Sequence, residues 1–370
     1  MEDFSQPPRA GILTGIITNL GRVALAVFFP VMTFLVLWQG FVFLRDTQAN
    51  LLIIIIVAIL WGVGGVALLF LVSNWLVEQL PDQFRRGLLP FVFVGPAVAI
   101  LMWYLTLPTI RTFWISLFDR TGDTFIWLDN YVRVFTEQSS LLALRNNLLW
   151  IVVGATSCVV MGLLIAVLAD RSGFEKIAKA LIFMPMAISM VGSSVIWKFV
   201  YEYSPPGNPQ IGILNAIMVQ LGNPPQAWLQ LVQPWNNLFL IVILVWLQTG
   251  FAMVLFSAAI KGVPEDLLEA ARVDGANEIQ IFMRIIIPFI QGTIITVSTT
   301  IVIFTLKLFD IVRVMTGGNF GTNVIANEFY EQYFTQGNFG LGSAISIILL
   351  ILVTPVMIYN LIDFSKREAF

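Results

Sequence analysis

At 370 residues, 58% hydrophobic and 11% charged, with a mean hydropathy of +0.86, the chain lies far outside the range of soluble domains, in which about a quarter of residues carry charge. A net charge of −2 without a basic patch argues against a nucleic-acid partner. The absence of histidine and the single cysteine exclude thiolate–histidine pairs and Cys/His metal cages, so the composition is that of an integral membrane protein whose solvent is largely the bilayer.

The stretch from Met1 to Leu20 is mixed in polarity and enters apolar sequence without a small-residue cleavage site. The first apolar segment is therefore expected to stay in the mature chain. Segments long enough to cross a hydrocarbon core, about 20 residues of helix, fall at Val23 to Leu44, Leu51 to Ser73, Leu88 to Leu117, Leu144 to Leu168, Ala178 to Tyr201, Leu238 to Ile260, Phe282 to Leu308 and Leu341 to Ile362. The fold class is thus all-α, a polytopic protein with about eight transmembrane helices. Pro96 and Pro108 predict a kink or an early end in the third span. Cys158, inside an apolar run, reads as a small packing residue between helices.

With a cytoplasmic N-terminus, twelve of the twenty Lys and Arg fall on the inner side, among them Arg9, Arg22, Arg171, Arg272, Lys366 and Arg367. That modest bias places both termini in the cytoplasm. Longer loops, Asp119 to Ser140, Glu202 to Trp235 and Thr316 to Gly340, are then outside. Within the second, Ser204-Pro205-Pro206-Gly207-Asn208-Pro209 and Asn223-Pro224-Pro225 frame Ile211 to Leu221 as a short interfacial helix. The sequence shows no internal repeat, so any two-fold symmetry must come from another chain.

Between the sixth and seventh spans lies a polar island. Pro264 precedes Glu265, Asp266, Leu267, Leu268 and Glu269, an acidic first turn at the positive end of a helix dipole. Leu267, Leu268, Ala271 and Ile279 fall near helical spacing, and Gly275 interrupts as a hinge before a second helix that starts near Asn277 and meets the next span at Pro288. An ordered polar helix held at one side of a bilayer is being presented to something.

The pattern Glu269-Ala270-Ala271, three residues, Gly275, nine residues, Ile285-x-Ile287-Pro288 closely resembles the EAA loop of permease subunits in binding-protein-dependent ABC importers, with Ile287 where that family usually has Leu. The resemblance spans roughly Leu144 to Ile362. It is strongest toward carbohydrate importers similar to the maltose transporter's first permease subunit and to permeases for alpha-glucosides, trehalose or glucosylglycerol. It implies a type I ABC importer permease core over 141–363 with its coupling loop at 263–288, preceded by an extension with two transmembrane helices (1–87) and by the third span with its outer loop (88–140), and followed by a short cytoplasmic tail (364–370). The coupling residues implied are Glu269, Ala270, Ala271, Asp274, Gly275, Ile285 and Pro288, docked on a cytoplasmic ATPase. The implied partners are a homologous second permease in a heterodimer, two ATPase subunits, and an extracytoplasmic solute-binding protein, in a bacterial cell (inner) membrane.

The chain has no Gly-x-x-x-x-Gly-Lys-Ser/Thr stretch to cradle nucleotide phosphates, so it is expected to be no enzyme and to hold no cofactor. ATP and Mg would be bound by the partner ATPase. By the same resemblance, Gln248, Phe251, Thr305 and Leu308 stand at positions similar to sugar contacts, and Gln248, Phe251 and Thr305 suit that chemistry. Interhelical packing explains each of these positions, taken singly, about as well. Lys307, Asp310 and Arg313, spaced one helical turn apart, read as an ion pair at the outer gate. The alternative function is a stand-alone secondary transporter or channel, disfavoured by the lack of paired short segments and of central charges. A membrane enzyme lacks convergent catalytic groups.

Overall fold

The computed structural model of the chain describes residues 12–78 and 82–368. Arg9, the start of the N-terminal stretch and the end of the 364–370 tail lie outside the described residues, as do the side chains of Arg22, Lys366 and Arg367. Among the described residues every regular element is helical apart from one isolated bridge between Phe118 and Phe125. Among the described residues six helices are long and apolar enough to cross a membrane, and counting each of two bent helix pairs as one span brings the number to eight. Backbone contacts separate two units, Met1–Pro108 and Thr109–Phe370.

In the first unit, Ile12–Asp46 and Leu51–Glu78 form a helical hairpin that Asp82–Leu101 extends. Trp61 Nε1 donates to the Leu37 carbonyl at 2.9 Å, and Phe29 meets Trp75 edge-on at 5.0 Å. Most of the other large apolar side chains described here are exposed, as suits lipid-facing helices, with Val92 buried.

The third span departs from expectation, because the helix continues beyond both prolines. Asp82–Leu101 passes through a π turn at Met102–Thr106 into Leu107–Ile115. There the Leu107 amide reaches back to the Met102 carbonyl. The widened turn removes the carbonyl that the Pro108 ring would strike, so the proline is absorbed instead of ending the helix.

The second unit is organised around Trp235–Lys261, whose Leu240, Ile243, Leu244, Ala252, Met253 and Phe256 are completely enclosed. The Trp150–Ala155 π turn and the Thr156–Asp170 helix pack along it through Gly154, Cys158, Gly162 and Ala166, a small residue at every fourth position. Lipid supplies no hydrophobic drive between helices, so close backbone approach through small residues carries the association. At Gly162 a Cβ would stand 2.4 Å from the Ala252 Cβ and 3.0 Å from the Met253 amide nitrogen. Cys158 is a fully buried member of this seam, in keeping with its reading as a packing residue.

Two of the expected spans are broken, correcting the view that no paired short segments exist. Glu175–Ala187 meets Met190–Tyr201 at 102°, and Glu278–Phe289 meets Gln291–Leu306 at 69°. At the first break Met184–Ala187 tightens into a 3-10 turn containing Pro185, Ile188 is extended, and Ser189 caps the new helix by accepting from the Gly192 amide at 3.1 Å. The expected interfacial helix is present at Ile213–Gln220. It is held by buried Asn215, which bridges the Glu202 carbonyl and both backbone groups of Gln226 at 2.9 to 3.0 Å.

Candidate functional site

The polar island folds as a helix, Glu265–Val273, between two spans. Pro264 stands at its N-cap, and Glu265 and Asp266 fill the first turn, where carboxylates offset the dipole. Leu268 and Ala271 turn inward against the core, with Val263 and Ala276 beside them. Leu267, Glu269, Ala270 and Val273 are exposed, Val273 at 88%, and Ile279 and Met283 continue the exposed apolar surface. The helical spacing thus places Leu268 and Ala271 on the inner face, while Leu267 and Ile279 stand outside it.

Gly275 ends the helix. Its φ is +82°, its amide donates to the Arg272 carbonyl at 3.1 Å, and the Ala276 amide donates to the Ala271 carbonyl at 3.0 Å. These two bonds form a Schellman closure, in which a left-handed residue satisfies the last carbonyls of a helix. The expected hinge is therefore a hydrogen-bonded stop with a defined direction. Two residues later Asn277 opens the next helix with a capping box, its Oδ1 accepting from the Gln280 amide and its own amide donating to Gln280 Oε1, both at 2.9 Å.

The join to the membrane repeats the device seen at Pro108. Phe282–Ile286 is a π turn, the Ile287 amide reaches the Phe282 carbonyl, and Pro288 follows without a clash. Ile285 is half-buried against the core beside buried Ile286, and Pro288 is exposed.

Ionic contacts absent from the sequence reading tie this segment down. Glu278 receives Arg171 Nη2 at 2.7 Å and Arg272 Nε at 3.2 Å, linking the end of the polar helix to the turn after Asp170. Beside it, Lys179 Nζ lies 2.5 Å from both Asp170 Oδ1 and Glu175 Oε1. The Ser257 hydroxyl donates to Asp170 at 2.7 Å, and Lys261 pairs with Glu175. Three helix ends are thereby held together next to the polar helix. The capping box was legible as Asn277-x-x-Gln280, whereas Arg171 and Glu278 are 107 positions apart and left no local signal.

The other candidates scatter. Thr305 is 1% exposed with its hydroxyl spent on the Ile301 carbonyl at 2.8 Å, and Leu308 is buried in the core. Gln248 and Phe251 are half-buried on Trp235–Lys261, Phe251 packed against the core. The structure therefore brings no sugar-facing constellation together from these four. Nor do Lys307, Asp310 and Arg313 form their expected ion pair. The helix ends at Leu306 and restarts at Asp310, so the one-turn spacing between Lys307 and Asp310 is lost, although Asp310 and Arg313 share one helix. Arg313 Nη1 instead meets Glu331 Oε2 at 3.2 Å, with its guanidinium 4.5 Å above the Tyr330 ring. Among the described residues no group of His, Cys, Asp and Glu is arranged to hold a metal ion.

Residues 148–366 match the family described as binding-protein-dependent transport system inner membrane component. The chain is 54% identical over 277 residues to the osmoprotective compounds uptake permease protein GgtC of Synechocystis, covering 75% of this chain and 99% of that protein. It is 47% identical to the alpha-glucoside transport system permease protein AglF of Rhizobium meliloti, covering 77% and 85%. The trehalose/maltose transport system permease protein MalF of Thermococcus litoralis shares 31% identity over 78% of this chain and 97% of its own length. Among solved structures, a chain of a bacterial alginate ABC transporter superposes with a TM-score of 0.64 at 20% identity, covering 75% of this chain and 94% of that one, a likeness of fold.

Proposed function

We propose that this chain, which belongs to the binding-protein-dependent transport system inner membrane component family, imports a neutral sugar or glycoside as the permease of an ATP-driven transporter. The names of its relatives, an osmoprotectant permease, an alpha-glucoside permease and a trehalose/maltose permease, support an alpha-glucoside, trehalose or glucosylglycerol-like substrate. One observation carries the coupling role. Glu265–Val273 packs half-buried Leu268 and Ala271 against the core while exposing Leu267, Ala270 and Val273 on a polar segment between two spans. Apolar side chains left uncovered on such a segment are what a soluble partner covers.

In this reading Glu269, Ala270, Ala271, Asp274 and Gly275 shape the face that the ATPase grips, and Ile285 and Pro288 pass its movement into the broken seventh span. The Glu278 bridge to Arg171 and Arg272 carries the same movement to the neighbouring turn. ATP closure elsewhere drives import only by changing the relative stability of inward-open and outward-open arrangements. The complete transporter holds a homologous second permease, two ATPase subunits with their ATP and Mg, and an extracytoplasmic solute-binding protein, with both termini of this chain cytoplasmic.

The broken spans favour one competing reading, since secondary transporters use discontinuous helices around a central site. Reconstitution separates the two. The reading expects ATP-dependent uptake of labelled trehalose, sucrose or glucosylglycerol only when all subunits are present. Uptake by this chain alone, driven by an ion gradient, would refute it.

A further inference from the structure

We propose that the loop joining Asp310–Met315 to the last helix, Phe339–Glu368, forms a binding subsite for a neutral, hydroxyl-rich ligand. It would serve as a first docking point at the end of the seventh span opposite the polar helix. The inference rests on the reading of the chain as a glycoside permease and deepens it by naming a place and a set of residues. The Gln291–Leu306 helix separates the two ends, a rise of about 24 Å at 1.5 Å per residue.

The loop lines an open cavity of about 570 Å³ formed by Arg313, Asn319, Asn323, Asn327 and Glu331 and floored by the backbone of Gly317 and Gly318. That volume falls within the range of small-molecule sites. The floor is tight, since a Cβ on Gly318 would stand 2.7 Å from Asn327 Nδ2 and 2.9 Å from Asn323 Oδ1. The lining is polar, and much of its hydrogen-bonding capacity is unspent.

Arg313 uses Nη1 on Glu331 Oε2 and rests over Tyr330, which fixes the plane of its fork and leaves its other N–H groups and Glu331 Oε1 free. Asn319 donates to the Thr316 carbonyl at 2.9 Å, leaving an exposed Oδ1. Asn327 donates to Asn323 Oδ1 at 2.7 Å, while its own Oδ1 has no donor although the residue is 1% exposed. A buried acceptor without a donor calls for a partner. Fixed N–H donors beside carboxylate and amide acceptors match a run of hydroxyls, each of which both donates and accepts.

Charge narrows the ligand further. Glu328, 3% exposed, lies behind Asn323, accepting from Asn323 Nδ2 at 2.5 Å and Gln332 Nε2 at 3.0 Å. With Arg313 already paired to Glu331, the surroundings keep a negative charge that disfavours anions. A neutral polyol avoids the penalty that an acidic sugar would meet.

The test uses the full transporter in proteoliposomes with labelled trehalose and sucrose. Glu331→Gln removes the paired carboxylate, and Asn319→Ala trims an exposed amide without burdening the fold. Each is expected to raise the uptake KM about tenfold with a smaller change in kcat, at unchanged affinity of the solute-binding protein. Cys158 is buried, so Phe320→Cys offers a single reactive thiol at the rim for an environment-sensitive fluorophore. Trehalose added without the binding protein should give a saturable signal that digalacturonate does not. Wild-type uptake with KM unchanged in both variants and no saturable signal overturns the subsite alone. A saturable response to digalacturonate overturns its neutral preference. A wild-type complex that takes up no neutral glycoside overturns the functional reading and the subsite with it.

Discussion

Gly275 isolates a backbone effect from every side-chain effect. Its φ of +82° is a conformation that L residues adopt at a cost of about 1–2 kcal/mol, and no atom lies within 4 Å of where a Cβ would stand. Gly275→Ala therefore pays the conformational cost with no clash. The penalty falls on the two bonds that close the helix, so the native direction of the turn should be disfavoured roughly 5- to 30-fold. Asn tolerates this region better, and Gly275→Asn should fall between Gly and Ala. Gly222, with φ +80° and equally open space, serves as the control. Gly222→Ala should lower thermal stability by a similar amount and leave the ratio of substrate transported per ATP unchanged, whereas Gly275→Ala should lower that ratio. Equal coupling in the two Ala variants, or an Asn variant worse than Ala, would refute the reasoning.

Other substitutions test the remaining contacts. Gly162→Val would drive side-chain atoms into Ala252 and the Met253 backbone, costing about 1–3 kcal/mol by overpacking, read as a lower midpoint in thermal unfolding in detergent. Lys179→Met leaves Asp170 and Glu175 without their shared cation. Glu175 keeps Lys261 while Asp170 loses its cation, so the melting midpoint should fall, and a double-mutant cycle with Asp170→Asn should recover part of the loss. Glu278→Gln removes a carboxylate shared by two exposed arginines, so stability should change little while substrate-stimulated ATP hydrolysis falls. The carboxylate of Asp119 is held under its usual range by the backbone amide of Thr124 and then by those of Asp123 and Gly122, so in the folded loop it protonates only below the ordinary carboxylate range. Because the folded value is the lower one, the loop's contribution is present above the ordinary carboxylate range and lost as pH falls through the folded value. Amide exchange at Gly122 and Thr124 should rise there.

The spans were legible because 18 or more apolar residues in a row have few alternatives to a membrane helix. Their interiors were not. Three prolines sit in similar apolar runs, yet Pro108 is absorbed by a π turn in a continuing helix, while Pro288, although a π turn precedes it, lies just before a 69° break and Pro185 just before a 102° break. The outcome depends on whether a new cap such as Ser189 is ready to restart the helix, and on packing that no local window contains. Lys307, Asp310 and Arg313 were aligned on the assumption of one continuous helix, but a three-residue interruption takes Lys307 out of it, and Arg313 pairs with Glu331 instead. Thr305 was readable as a hydroxyl, but its bond to the Ile301 carbonyl depends on a rotamer. Gly275 was readable as a bend because only glycine takes its φ without strain. The rigidity of that bend came from amide bonds set by the turn itself.

The exposed face of Glu265–Val273 bears the central claim, and Ala270→Trp tests it most directly. The position is exposed, and the helix-propensity cost is only about 0.5 kcal/mol, so the chain should still fold and assemble with its permease partner. The account predicts that the ATPase no longer co-purifies with the variant and that substrate-stimulated ATP hydrolysis is lost. Retention of the ATPase at wild-type stoichiometry, with hydrolysis still stimulated by substrate, would contradict it.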